Sequence, residues 1–511
     1  MHALASRQTR RHPARTAAAV VLCLCLSVLA ACGSRVSPED MAGANGGTVG
    51  TGGTGGTLTG TDDGSGLDDG SGLDGGGSDT SGSDTSGGST GGGSSSGGSG
   101  SSGSGGDAGS DGGGSGSGEN AADGGVTAGK CDGFKNTTGI TDSKIVVANV
   151  ADISGPVPGL FQAAQDSVKA FVAYYNRTNP DGICGRSLEL LALDSRSEAA
   201  GDQQAYARAC DEAFAVLGAI GSQDQGGAAT ADGCGVPDIR SIITTPQRGA
   251  CKSCFSAYAQ ATNLVPQSIM DFWKKQEPEA SRAVGMYYVN VPAAEITAKS
   301  YVEAYKRSGM TVKRTQGIDT AEFNYAPYAQ QMKDDGIQFV QYFGPYQFAK
   351  RLQEAIEQQN VDIKVFFQDP TLYDAKYTEQ AGSAGDGSYV YITHELFDDL
   401  SVPEMKLYRQ WLEAVAPGSE PNYFGLYAWS ATRLFVQKAT ELGGQLSRQS
   451  LVSAVGKVSN WDSNGMHTPM DVGANRTSPC VKIAQLKNGT WGQFSKGGYL
   501  CGKLIDTGIG G

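Results

Sequence analysis

Lys144-Ile145-Val146-Val147-Ala148-Asn149-Val150 is almost continuously apolar and rich in β-branched residues. A strand with one wet face would alternate. This run predicts a strand covered on both faces, as in a parallel sheet between two helical layers. Outward from it the pattern repeats. Leu160, Ala164, Val168, Phe171, Val172 and Tyr175 recur at helical spacing. Leu188–Leu193 reads as a second strand, Ala199–Cys210 as a second helix and Ala215–Gly221 as a third strand. A short helix through Ala228–Ala231 leads to a fourth strand near Ile239–Thr244. Strand–helix alternation of this kind forces parallel pairing and a doubly wound sheet.

A second series follows. Ala283–Val289, Phe339–Phe343, Lys364–Phe367 and Tyr389–Thr393 read as strands. Ile296–Ser308, Gln347–Gln358 and the region of Tyr373–Ala381 read as helices, joined later by Pro403–Val415, Gly425–Leu442 and Ser447–Lys457. Asn488-Gly489 is a hairpin signal between Val481–Leu486 and the segment from Trp491. The roughly 380 residues that carry these two series exceed one comfortable core, so two lobes are expected.

The amino terminus decides the compartment. Arg7, Arg10, Arg11 and Arg15 precede an apolar run from Ala17 to Ala31. That run is too short for an ordinary transmembrane helix and has the marks of a secretory signal, here residues 1–31. Its end, Leu29-Ala30-Ala31-Cys32-Gly33, resembles the bacterial lipobox. The resemblance implies that Cys32 is acylated and becomes the mature terminus on the extracytoplasmic face of the membrane. Residues 32–130 then form a tether. Between Met41 and Lys130 there are 37 glycines in 90 residues, with no aromatic residue and no cysteine. Such a composition cannot bury enough apolar surface to offset chain entropy. As a flexible coil it reaches roughly 50 Å.

Charge is concentrated in the same tether, which holds 11 acidic residues against one lysine. Of the formal −13, only −6 belongs to residues 131–511. No basic stripe stands out, so a nucleic-acid partner is not expected. Gly124–Lys130 has phosphate-loop spacing, but Cys131 replaces the required Ser or Thr, and neither a strand before it nor a helix after it is in view. No cofactor is expected. An enzyme would need a nucleophile–base pair or a metal cluster, and the globular part has only His394 and His467.

Of eleven cysteines, Cys23 and Cys25 fall in the signal and Cys32 is the anchor, leaving eight. An even number in an exported domain suggests disulfides. Cys251-Lys252-Ser253-Cys254 lacks the second CxxC of a metal site and reads as a loop after a strand. In a parallel sheet, segments entering strands and leaving helices share one edge. Cys131 with Cys184 and Cys210 with Cys234 can meet there, Cys480 and Cys501 flank the terminal hairpin, and Cys251 is left with Cys254. Eight cysteines allow 105 pairings, and this one is the expectation.

From about Gly139 to Lys503 the chain resembles type I periplasmic solute-binding proteins, specifically the branched-chain amino-acid binding group of ABC transporters. Ile153-Ser154-Gly155-Pro156 stands where that group has Thr-Gly-Pro. Gly185-Arg186-Ser187-Leu188-Glu189-Leu190, Phe214-Ala215-Val216-Leu217-Gly218, Gly425-Leu426-Tyr427-Ala428 and Leu486-Lys487-Asn488-Gly489 follow in order. The resemblance implies an α/β fold of two doubly wound parallel-sheet lobes joined by three crossovers, near residues 255–270, 394–402 and 468–480. Residues 131–262 and 397–470 then form the N-terminal lobe, and 263–396 and 471–511 the C-terminal lobe. It further implies a monomer that captures a small polar ligand, an amino acid or related compound, by lobe closure and delivers it to an ABC permease. A sensor reporting to a membrane partner is the alternative.

Ligands of open parallel sheets bind outside the carboxyl ends of strands, where helix N-termini offer unpaired N–H groups. In the first lobe this selects Ser154 and Gly155, Ser222 and Gln223 through Gln225, and Thr244, Thr245 and Gln247. In the resembling family, hydroxyls and N–H groups of these loops hold the ligand carboxylate. In the second lobe Tyr288, Asn290, Tyr342, Tyr346, Gln368 and Asp369 stand at strand ends. The resemblance assigns Asp369 to the ligand ammonium, since a buried charge needs a partner. His394 and Glu395 belong to a hinge. Asn290–Ala294 and the acidic Ser222-Gln223-Asp224-Gln225 depart from the family on the binding rim itself, which puts leucine-type specificity in doubt.

Overall fold

The computed structural model describes residues 126–510. The signal reading, Cys32 and all but the last five residues of the tether lie outside the described residues. In the first lobe β1 (Lys144–Ala151), β2 (Ser187–Asp194), β3 (Ala215–Leu217), β4 (Asp238–Ile242) and β5 (Cys254–Tyr258) form one parallel sheet, ordered β2-β1-β3-β4-β5. Between them lie α1 (Gln162–Thr178), α2 (Ala199–Glu212), α3 (Ala228–Cys234) and α4 (Pro246–Gly249). The double covering read from β1 is present. Ile145 and Val147 enter one core with α1, and Ala148 and Val150 enter another with Ala205, Tyr206 and Ala209 of α2.

The second lobe uses the same wiring. After β6 (Leu264–Pro266) and α5 (Gln267–Gln276) come β7 (Val284–Val289), α6 (Pro292–Arg307), β8 (Val312–Ile318), α7 (Ala326–Asp334), β9 (Phe339–Phe343), α8 (Tyr346–Gln358) and β10 (Val365–Gln368). The short α9 (Ala375–Gln380) and α10 (Gly382–Gly385) precede β11 (Tyr389–Ile392). The parallel order β8-β7-β9-β10-β11 repeats that of the first sheet. The chain then returns to the first lobe with α11 (Pro403–Val415), α12 (Tyr423–Leu442) and α13 (Arg448–Val455). Phe171 of α1 meets Trp429 of α12 edge-on at 4.7 Å between ring centroids. Finally β12 (Cys480–Lys487) and β13 (Thr490–Gln493) extend the second sheet antiparallel, β14 (Leu500–Cys501) pairs with β12, and β15 (Leu504–Asp506) pairs with β6.

The sequence reading leaves 245–282 and 309–338 without elements, whereas the structure places α4, β5, β6, α5, β8 and α7 there. β8 is an edge strand whose residues alternate between intermediate and exposed over most of its length, so it lacks the apolar run that marks a covered strand.

Three segments join the lobes, and they are tied to one another. The Thr477 hydroxyl donates to the Ala261 carbonyl at 3.1 Å and accepts from its N–H at 2.9 Å. His394 and His467 pair as an isolated bridge, and burial pushes both imidazoles down to about 4, so they are neutral at ordinary pH. Cys131–Cys184, Cys210–Cys234, Cys251–Cys254 and Cys480–Cys501 are disulfides.

Under the first-lobe rim lies an ionic cluster. Arg240 and Arg248 are fully buried against Asp202, Asp224 and Asp238. Asp238 Oδ2 accepts from the Tyr206 hydroxyl at 2.7 Å, from Arg240 at 3.2 Å and from Arg248 at 3.3 Å. Burial pushes Asp202 up to about 6 despite these cations. Removing one partner of such a set strands buried charge. Asp238→Ala is therefore expected to cost about 3–5 kcal/mol in denaturant unfolding, and a loss below about 1 kcal/mol would show the cluster to be dispensable.

Candidate ligand-binding cleft

The carboxyl ends of both sheets face a cleft of about 720 Å³, within the range of small-molecule sites. Its walls mix polar residues with an apolar set. The first lobe contributes Leu160, Phe161, Ile220, Ile242 and Phe424, and the second Val289, Phe343, Pro345 and Tyr391. Phe161 and Phe424 meet edge-on at 4.7 Å between centroids, with Tyr423 at 5.4 Å from Phe424. The charged lining is lopsided: Asp166, Asp369, Asp374, Glu379 and Glu420 stand against Lys376 alone, with no arginine.

Asp369 ends β10. Its Oδ1 caps the turn Pro370–Leu372, accepting from the N–H of Thr371 at 3.1 Å and from the Thr371 hydroxyl. The groups acting on it, Thr371 and Gln368, are both uncharged, and burial pushes it up to about 6. Among the described residues it is thus an acid of the cleft without an ion-paired cation.

The first-lobe rim is organised by acids that reach inward. Asp152, directly after β1, accepts from the Ser195 hydroxyl at 2.5 Å and the Ser197 N–H at 3.2 Å. Its other oxygen accepts from the Ser222 N–H at 2.8 Å and hydroxyl at 2.7 Å. Asp194, closing β2, accepts from the Ser154 hydroxyl at 2.6 Å and the N–H groups of Ile153, Ser154 and Arg196 at 2.8–3.2 Å. Asp224 takes the Thr244 N–H at 3.0 Å and the Thr245 hydroxyl at 2.6 Å.

Of the residues selected from the sequence, Ser222, Gln223, Thr244, Asn290, Tyr346 and Asp369 line the cleft. Ser154, Gly155, Thr245, Tyr288, Tyr342 and Gln368 do not. Ser154 and Thr245 have their hydroxyls turned to Asp194 and Asp224. Gly155 has φ +117° and a Cβ there would lie 2.5 Å from the Arg196 carbonyl oxygen, so glycine is needed for the turn. Tyr342 is fully buried with its hydroxyl unpartnered. Gln368 donates to the Gly344 carbonyl and to Thr371, both at 2.7 Å, and so positions the turn that carries Asp369. Sequence reasoning missed Asp152 and Asp194, as well as Gly418–Glu420 and Asn422–Phe424 at the start of α12. Asn422 before an apolar run is a helix-cap signal that locates this rim, and its Oδ1 does accept from the Gly425 N–H at 3.0 Å.

The fold and cleft define an extracytoplasmic binding protein. Residues 144–490 match the model of the periplasmic binding protein family, and the chain belongs to that family. Among solved structures it is similar to a fatty acid ABC transporter substrate-binding protein from Thermomonospora curvata, with TM-score 0.64, 14% identity and coverage of 74% of this chain and 98% of that one. It is also similar to a branched-chain amino acid transporter substrate-binding protein from Streptococcus pneumoniae in complex with isoleucine, with TM-score 0.60, 17% identity and coverage of 71% and 100%. A solute-binding protein from R. palustris in complex with 4-hydroxybenzoate gives TM-score 0.57, 15% identity and coverage of 71% and 96%. At these identities the likeness is one of fold. A search of curated proteins finds no match. The family and its structural neighbours are substrate-binding proteins of ABC transporters, not enzymes.

An acid held above its ordinary range destabilises the empty protein once ionised. With the folded value near 6 against 3.8 for a free aspartate, this cost is absent below the free value, grows between the two, and is complete above the folded one. Asp369→Asn is expected to raise the stability of ligand-free protein by about 1–3 kcal/mol at alkaline pH, with the gain vanishing as the pH falls toward 4. Equal stability of the two proteins across that range, followed by thermal unfolding, would contradict the assignment.

Proposed function

We propose that the protein is a lipid-anchored receptor that captures a small solute bearing an ammonium group, an amino acid or related amine, and passes it to an ABC permease. The observation that supports this most is Asp369: a carboxylate lining a cleft that has an apolar wall, held among the described residues only by the uncharged Thr371 and Gln368. An ammonium bound there would form a charge-assisted pair shielded from water, and aromatic faces nearby would add cation–π attraction. Ligand contacts from both lobes would favour the closed form, with rotation about the three tied segments, and the closed form is what a permease can recognise. Cys32 would hold the receptor at the membrane, and residues 33–130 would set its reach.

Mass spectrometry of small molecules released from natively purified protein is expected to find an amine-bearing solute. That solute should bind Asp369→Asn at least about tenfold more weakly in calorimetry and should compact the parent in solution scattering. A bound solute without a basic nitrogen, or undiminished binding by the variant, would contradict the proposal. Cys32→Ser is expected to shift the protein from the detergent phase to the aqueous phase, and unchanged partitioning with normal processing would remove the anchor.

A further inference from the structure

The ammonium reading leaves the rest of the solute open, and the first-lobe rim narrows it. An α-amino acid brings a carboxylate, and in a two-lobed parallel-sheet receptor the natural seat for it is the set of hydroxyls and N–H groups at the strand ends. In this chain many of those donors are already engaged. The hydroxyls of Ser154, Ser222 and Thr245, and the N–H groups of Ser154, Ser222 and Thr244, all donate to Asp194, Asp152 and Asp224.

Two of these carboxylates, Asp152 and Asp224, are buried behind the rim and Asp194 is exposed beside it; none of the three lines the cleft itself. Asp224 is compensated by Arg240, whereas Asp152 and Asp194 make no ion pair among the described residues; their partners are hydroxyls and N–H groups. An incoming carboxylate that took these donors would have to displace the acid that holds them, and it would feel repulsion from the buried Asp152 and Asp224 behind the rim. The remaining charged lining repeats the sign, since Lys376 is its only cation. Thr244, which lines the cleft, has its hydroxyl turned to the Gly221 carbonyl at 2.8 Å. Beside a polar set that includes Gln162, Ser197, Gln223 and Asn422, the first lobe offers an apolar wall: Leu160, Phe161, Ile220, Ile242 and Phe424.

Resting on the ammonium reading, we infer that the solute is a primary or methylated amine with an apolar body and no carboxylate. Its nitrogen meets Asp369 and its body fills the aromatic and aliphatic wall of the first lobe. The internal acids then act as specificity determinants. They discriminate against amino acids by repulsion, and they favour a cation at longer range.

Matched pairs test this on the whole protein by calorimetry: isopentylamine against leucine, phenethylamine against phenylalanine, and choline against glycine betaine. Each pair keeps the nitrogen and body and differs at the carboxylate. In at least one pair the amine is expected to bind about tenfold or more tighter than its partner, and to lose that binding in Asp369→Asn. If leucine, phenylalanine or betaine binds as well as its amine, and Asp369→Asn still abolishes it, the narrower inference falls and the ammonium reading stands. If the tightest binder is indifferent to Asp369→Asn, the ammonium reading falls with it. No heat from any amine at millimolar concentration also overturns the inference.

Discussion

The cleft depends on one constraint: the loops at the carboxyl end of the first sheet are held by the protein's own carboxylates, Asp152 and Asp224 buried and Asp194 exposed. Asp152 and Asp194 leave adjacent strands and bind the loops that follow β1, β2 and β3. Asp224 does the same for the loop after β4, and it is itself fixed by Arg240, which with Arg248, Asp238 and Asp202 forms the buried cluster beneath. Buried charges persist only when paired or fully hydrogen-bonded. Asp152 and Asp224 meet that condition by consuming rim donors, Asp224 with Arg240 as well. The same bonds that make the rim rigid also remove it as an anion site.

The second lobe is built the opposite way. Its acid, Asp369, has one oxygen engaged by Thr371 and no cationic partner. Gln368 and the Gly344–Pro345 turn fix its position. One lobe is thus electrostatically closed on itself and the other is incomplete without a cation. Stability is sacrificed at Asp369 and secured at the cluster, a division common where a site must stay reactive toward a ligand.

Much of this architecture was legible in the sequence, for identifiable reasons. Lys144–Val150 announces a doubly covered strand because both faces are apolar, and the periodic run from Leu160 to Tyr175 announces its helix. β5 escaped notice because Cys254–Tyr258 is five residues long, follows a disulfide loop and has no periodicity to separate it from a turn. α5 escaped because its buried set, Ile269, Met270 and Trp273, is short and sits among polar residues. In the site, Asp369 could be singled out because a β-strand ends there. Ser154 and Thr245 stand off the cleft lining for a physical reason: a hydroxyl at a strand end points at whichever acceptor is nearest, and the acceptors here, Asp194 and Asp224, come from other segments. Sequence spacing does not show that geometry.

The account's central claim is that charge in this cleft runs one way, from an internally saturated first lobe to an unpaired acid in the second. A crystal structure of the protein with the solute it carries from the cell tests this most directly. The prediction is a basic nitrogen within hydrogen-bond distance of Asp369, with Asp152, Asp194 and Asp224 still bonded to Ser222, Ser154 and Thr245. A solute carboxylate bonded to Ser222 or Thr245, with the internal acids turned away, would contradict it.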